Sequence, residues 1–191
     1  MLTAERVPVE VERYRFTVED YHRLADIGIL NEDSRVELID GEILTMSPIG
    51  WRHMRIVNNL NRLFVTQAAG RYTVSPQNGL VISEYSEPQP DIVLLTGDGP
   101  YGRLPTAADI VLVVEVSDTT LSYDLNVKLP RYARAGVPEL WIVDVAHDAI
   151  ERFNDPDESG HYATRDRFGL EDVIEAATLP SLRLSVRDIL S

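Results

Sequence analysis

The chain has 191 residues, 18 Lys+Arg against 31 Asp+Glu, a formal net charge of -13 at pH 7 and no Cys. That length suits one domain over residues 1–191, and a hydrophobic fraction of 44% belongs to a chain that buries a core rather than to a disordered one. Without Cys, disulfide frameworks, thiolate zinc sites and Cys nucleophiles are excluded, while a pI near 4.6 argues at first sight against a nucleic-acid partner.

Met1 to Arg6, followed by Glu10, Glu12 and Arg13, hold no apolar stretch of signal-peptide length. The apolar run Ile110–Val114 is far below the ~20 residues that cross a bilayer. A soluble, cytoplasmic protein with no membrane partner is expected.

Phe16 to Gly28 reads as an amphipathic helix, with Thr17 as N-cap and Glu19 and Asp20 in the first turn, where the helix dipole favours negative charge. Asp40-Gly41 between alternating residues predicts a hairpin of Val36–Ile39 and Glu42–Thr45, broken after it by Ser47-Pro48. Trp51 to Ala69 has helical period, with Val57, Leu60 and Phe64 on one face and Arg55, Asn59, Arg62 and Thr66 on another. Strands are predicted at Tyr72–Ser75, Leu80–Ser83 and Ile92–Leu95, then a Gly- and Pro-rich loop from Gly97 to Pro105. Asp109 to Ser117 is a continuous apolar run with one Glu, as expected of a central strand covered on both faces. A helix follows at about Ser122–Ala135, with Pro130 expected to distort its middle. Glu139–Val145 and Ala149–Phe153 read as a second hairpin, Asn154–Gly160 as an exposed acidic turn, and Val173–Leu190 as a strand and a short helix. The order is that of a mixed α/β domain.

Within this frame Glu115 stands out, because an ionised carboxylate in Ile110-Val111-Leu112-Val113-Val114-Glu115-Val116 is costly unless paired or bound to a cation. A strand-end Glu that reaches water or an Arg is the plainer reading. Asp91 opens the preceding strand after Pro90, and in antiparallel neighbours the start of one strand meets the end of the other. Two carboxylates there would suit Mg²⁺ or Mn²⁺, which take oxygen ligands and keep several waters. Lys128, on the following helix, lies close enough in the chain to fold over that strand end and orient or help deprotonate a water; otherwise it is a solvated surface Lys.

These residues resemble a known group. Pro90-Asp91 with Glu115-Val116-Ser117 look like the Pro-Asp and Asp/Glu-X-Lys elements of the PD-(D/E)XK nuclease superfamily, with Ser117 where the motif Lys normally stands and Lys128 where a migrated Lys would sit. Arg35 to Ile43, Met46-Ser47-Pro48, His53, Val113 to Ser117, Lys128, Tyr132-Ala133, Ala135 to Glu139 and Trp141 to Asp144 are together similar to the Uma putative restriction endonuclease family. The resemblance runs from about Phe16 to the end of the chain.

It implies a restriction-endonuclease-like mixed sheet flanked by helices, and a Mg²⁺- or Mn²⁺-dependent endonuclease acting on DNA. Asp91, Glu115 and the Val116 carbonyl would hold the ion, Lys128 would position the attacking water, and Glu37 would complete the acidic cluster or touch a second metal. Gln77 and His53 are placed nearby as accessory residues, against turn chemistry for Gln77 and a hydrogen-bonded structural role for His53. A homodimer is a further expectation from resemblance.

The charge, counted by region, is uneven. Positions 1–50 and 139–175 hold 11 Asp+Glu each, whereas Trp51–Arg71 and Leu125–Pro138 hold none and carry Arg52, Arg55, Arg62 and Arg71, and Lys128, Arg131 and Arg134. Two locally basic helices beside the site would permit phosphate contact with strong salt sensitivity. The alternative function is a catalytically silent nuclease-fold module that binds nucleic acid or protein, which Ser117 favours; hydrolysis of a smaller phosphate ester is a third. The four His sit in no nucleophile context and there is no Gly-X-Ser-X-Gly elbow, P-loop or His-Glu-X-X-His.

Overall fold

The computed structural model describes residues 12–191, so the part of the amino-terminal reading that concerns residues 1–11 lies outside the described residues. Helix α1 (Val18–Asp26) opens on a capping box: Thr17 Oγ1 accepts from the Asp20 N–H and the Asp20 carboxylate accepts from the Thr17 N–H. Strands β1 (Val36–Ile39) and β2 (Glu42–Thr45) form the expected hairpin. Asp40 and Gly41 turn it with φ of 51° and 81°, the pair of positive values that matches strand twist. A Cβ on Gly41 would also lie 2.6 Å from Arg15 Cβ, so glycine is required there twice over.

Helix α2 (Trp51–Ala68) buries Ile56, Val57, Leu60 and Phe64 against a six-stranded sheet of order β3-β4-β5-β6-β7-β8. Its strands are β3 (Tyr72–Pro76), β4 (Ile92–Thr96), β5 (Ile110–Ser117), β6 (Glu139–Asp144), β7 (Ala149–Pro156) and β8 (Tyr162–Phe168). Only β5 and β6 run parallel; the other neighbours are antiparallel. As the apolar run predicted, β5 is central and covered on both faces, by Phe64 and Ile189 on one side and Tyr132 and Val137 on the other.

A parallel pair needs a crossover, and Leu121–Arg134 supplies it. It is not the one distorted helix expected from Pro130. One turn, α3 (Leu121–Tyr123), leads into a π-helical turn (Asp124–Lys128) and then α4 (Leu129–Arg134). The Leu129 N–H reaches back to the Asp124 carbonyl, and Pro130 falls in the first turn of α4, where its missing N–H leaves no bond broken. The wide turn absorbs the distortion ahead of the proline.

Two further expectations change. Leu80–Ser83 is not a strand: Val81 and Ser83 make only isolated bridges to Thr106 and Ser86, and the Leu80 N–H bonds the Pro88 carbonyl. A neighbouring segment holding Pro88 and Pro90 lacks the donors for a ladder. Strand β8 was not anticipated, because Tyr162-Ala163-Thr164-Arg165-Asp166-Arg167-Phe168 is an edge strand whose charges replace hydrophobic periodicity. Strand β7 accordingly continues to Pro156, and the acidic turn starts after it.

The carboxyl-terminal segment, β9 (Val173–Glu175), β10 (Arg183–Ser185) and α5 (Val186–Leu190), packs on the α2 side of the sheet. Among the described residues no helix is long and apolar enough to cross a membrane. Fully buried Glu139 ties this segment down: its carboxylate accepts from Trp141 Nε1 at 2.7 Å, the Ala177 N–H at 3.1 Å, and the Thr178 N–H and hydroxyl at 2.8 Å each. Glu139→Ala strands these donors in the core and is expected to cost about 3 kcal/mol or more in urea denaturation; a loss below about 1 kcal/mol would show the clamp to be dispensable.

Candidate functional site

The antiparallel register of β4 on β5, Ile92 opposite Val114, brings Asp91 and Glu115 to the same end of the sheet. The Val116 N–H donates to Asp91 Oδ2 at 2.8 Å, joining the two strands at that point. His53, in the first turns of α2, sets its Nε2 3.0 Å from the Asp91 carboxylate, and its Nδ1 is buried without a hydrogen-bond partner. From the π-helical turn, Lys128 Nζ reaches Glu115 Oε1 at 3.2 Å and Glu37 Oε2 at 3.1 Å. Hairpin, sheet end and crossover thus meet at one ammonium.

One cavity of about 980 Å³ is lined by Glu37, His53, Gln77, Asp91, Glu115, Val116 and Lys128 together. Every residue singled out in the sequence therefore borders the same space. Gln77 sits at φ 51°, its N–H bonding the Asp91 carbonyl and its carbonyl accepting from Gln89 Nε2 at 2.7 Å, so it shapes the wall through its backbone.

The electrostatics follow from burial. Glu115 is 3% exposed, and desolvation pushes its carboxyl up to about 8; Lys128 opposes this, while Asp124 and Asp91 add to it. Burial alone would lower the Lys128 ammonium, but Glu115, Glu37 and Asp124 outweigh it and the net shift is upward. Its neighbours favour the protonated form. Ammonium has three donors, and among the described residues the third finds no protein acceptor. For His53, burial lowers the imidazole pKa but Asp91 raises it more, giving a net rise.

Three neighbours escaped the sequence reading. Tyr132 is fully buried and donates to Glu115 Oε1 at 2.6 Å; Tyr123 donates to Glu37 Oε1 at 3.0 Å; Asp124 accepts from Ser117 and Thr120 at 2.7 Å each. Asp124 and Tyr132 stand four residues before and after Lys128, a spacing that sets side chains on one helix face and was the signal available. At the position of the motif Lys, Ser117 is occupied in holding Asp124.

The basic helices are arranged differently from expectation. Arg52 pairs with Asp148, Arg55 donates to the Ser191 carbonyl, and Arg71 bonds Gln67 and Ser181, while Arg131 pairs with Asp40. The apolar face of α2 lies on the sheet; Arg52 and Arg55 reach a loop and the carboxyl-terminal segment, Arg62 is exposed, and none of the three lines the cavity. Arg35, outside both helices, lines the cavity instead.

Among the described residues no three His, Cys, Asp or Glu converge as a preformed metal cage. The oxygens of Asp91 and Glu115 nevertheless suit a hard divalent cation, which takes one or two protein carboxylates and keeps waters. Glu115 and Asp124 besides Glu37 act on one ammonium, and Asp91 acts on Glu115, so added positive charge is favoured there.

The mixed sheet flanked by helices is shared with a solved structure of the nuclease class. The crystal structure of a putative nuclease belonging to DUF820 from Anabaena variabilis matches with a TM-score of 0.70 at 12% identity, covering 92% of this chain and 97% of that one. The chain belongs to the Uma2 family, described as putative restriction endonuclease, whose model matches residues 18–187. No curated protein matches the sequence.

Because the Glu115 carboxyl lies at about 8 in the fold against an ordinary 4.5, its contribution to stability is full below about 4.5 and is lost as pH rises through about 8. Glu115→Gln, neutral throughout, is expected to gain on the native chain by more than about 1 kcal/mol between roughly pH 5 and 9 in chelator-treated buffer. Thermal melts across that range check it; a pH-independent difference would contradict the assignment.

Proposed function

We propose that this chain is a Mg²⁺- or Mn²⁺-dependent endonuclease that hydrolyses phosphodiester bonds of DNA. The observation that carries the reading is that Asp91, Glu115 and Lys128, from two strands and a crossover, border one cavity. Membership of a family described as putative restriction endonuclease supports nucleic acid as the substrate class.

In this reading Asp91, Glu115 and the main chain of Val116 hold the divalent ion. When bound, such an ion supplies Lewis acidity that activates water and screens charge on the phosphate. His53 holds the Asp91 carboxylate in place through Nε2. Lys128, protonated and anchored by two carboxylates, presents its remaining N–H to a phosphate oxygen and stabilises the charge that grows as water attacks phosphorus and the ester P–O bond breaks. Since Lys128 accepts no proton, the proton of the attacking water passes to solvent or a substrate oxygen. The sequence alone left open whether this Lys would orient or deprotonate; its environment supports the electrostatic role.

The net charge of -13 weakens long-range attraction, and with Arg52 and Arg55 engaged elsewhere few phosphate contacts remain, so binding is expected to be weak and to change only shallowly with salt. Incubation of plasmid with purified protein and Mg²⁺ or Mn²⁺ tests the reading. Nicking or linearisation is expected, reduced on the order of 10²-fold or more in Asp91→Asn, Glu115→Gln and Lys128→Met. Equal cleavage by these variants would overturn the site; absence of cleavage with DNA binding intact would establish the silent binding module instead.

A further inference from the structure

The carboxylate oxygens around Lys128 are unequally free. In Glu37 both are taken: Oε1 accepts from the Tyr123 hydroxyl at 3.0 Å, and Oε2 accepts from the Gln89 N–H at 3.2 Å and from Lys128 at 3.1 Å. In Glu115 one oxygen carries the whole load. Oε1 accepts from Tyr132 at 2.6 Å and from Lys128 at 3.2 Å, and among the described residues Oε2 has no protein donor.

We infer that Tyr132 is a positioning residue that commits Glu115 Oε1 to the protein and leaves Oε2 for the cation, and that Glu37 orients Lys128 instead of holding a second ion. The inference rests on the cation-dependent reading above and adds to it a choice of oxygen and a stoichiometry of one.

The terminal torsion of a Glu is broad and nearly two-fold, so a carboxylate exchanges its oxygens unless something distinguishes them. An ammonium is a compact point charge and a weak discriminator. A buried hydroxyl with a single hydrogen, on a ring fixed in the core, is directional, and O–H donation to a carboxylate is short and strong. Tyr132 meets both conditions: it is 0% exposed and packs with Val137, Leu140 and Ile142. Glu37 carries donors on both oxygens and keeps a single lone-pair site, on Oε1, so it is less open to an ion than Glu115, whose Oε2 carries none. Outer partners of this kind hold ligands in the geometry a metal requires.

The test is calorimetric Mn²⁺ titration of the full chain without substrate, with the bound ion counted by electron paramagnetic resonance. The native chain is expected to bind one Mn²⁺. Tyr132→Phe, which removes only the hydroxyl, is expected to weaken binding by about 10-fold or more. Tyr162→Phe removes another largely buried hydroxyl, one that bonds the Val137 carbonyl at 2.9 Å, and is expected to leave Mn²⁺ affinity unchanged, separating positioning from packing. Glu37→Gln is expected to keep one Mn²⁺ while losing cleavage, because Lys128 is released.

Native-like affinity in Tyr132→Phe, or two ions in the native chain falling to one in Glu37→Gln, overturns this inference and leaves the cation-dependent reading standing. A native chain that binds no Mn²⁺ overturns both. Should Tyr132→Phe fail to fold, the Glu37→Gln stoichiometry decides alone.

Discussion

The ammonium of Lys128, sunk between Glu37 and Glu115, is the constraint around which the end of the sheet is organised. An ammonium and two carboxylates that are each about 95% or more buried lose their hydration, and only close pairing with further hydrogen bonds offsets that loss. The bonds from Tyr123, Gln89 and Tyr132 supply the remainder. The partners come from the first hairpin, the central strand and the crossover, so the ammonium joins three segments that the backbone ladders leave separate. The π-helical turn matters for the same reason: it delivers Asp124 and Lys128 to the cavity and lets the chain pass Pro130 without a broken bond.

The triad leaves the region short of positive charge. Glu115 and Asp124 share one ammonium with Glu37, and burial, with Asp124 and Asp91 nearby, leaves Glu115 favouring its protonated form. In the proposed reading a divalent cation would remove that frustration, because Glu115, the carboxylate that burial disfavours as an anion, is one of the two proposed ligands. Proteins commonly store such tension where they work.

The acidity of the whole chain takes on a narrower meaning. Acids near the site are structural partners or candidate ligands, and Arg52 and Arg55 pin α2 to its neighbours rather than lining the cavity. Net charge then bears on how nucleic acid approaches and on salt sensitivity, and not on whether the local chemistry suits a phosphate.

Much of this was legible in residue order. Asp40-Gly41 specified its hairpin because few dipeptides accept two positive φ angles, the α2 stripe specified its buried face, and the isolated Glu in the β5 run announced a carboxylate in need of a partner. Antiparallel geometry then placed Asp91 beside Glu115 before any fold was known. What periodicity did not reveal was β8, where ion pairs to Glu151 replace the hydrophobic pattern, and the bridged loop at Leu80–Ser83, whose apolar residues serve packing rather than a ladder. By itself the sequence determined which side chains are candidates for the chemistry and the order of most elements that bear them, because those depend on residue type and local pattern. Only the tertiary structure decided that Lys128 sits between Glu37 and Glu115, that Tyr132 donates to one oxygen of Glu115, and that Arg52 and Arg55 bond Asp148 and the Ser191 carbonyl, because each depends on partners brought from distant segments.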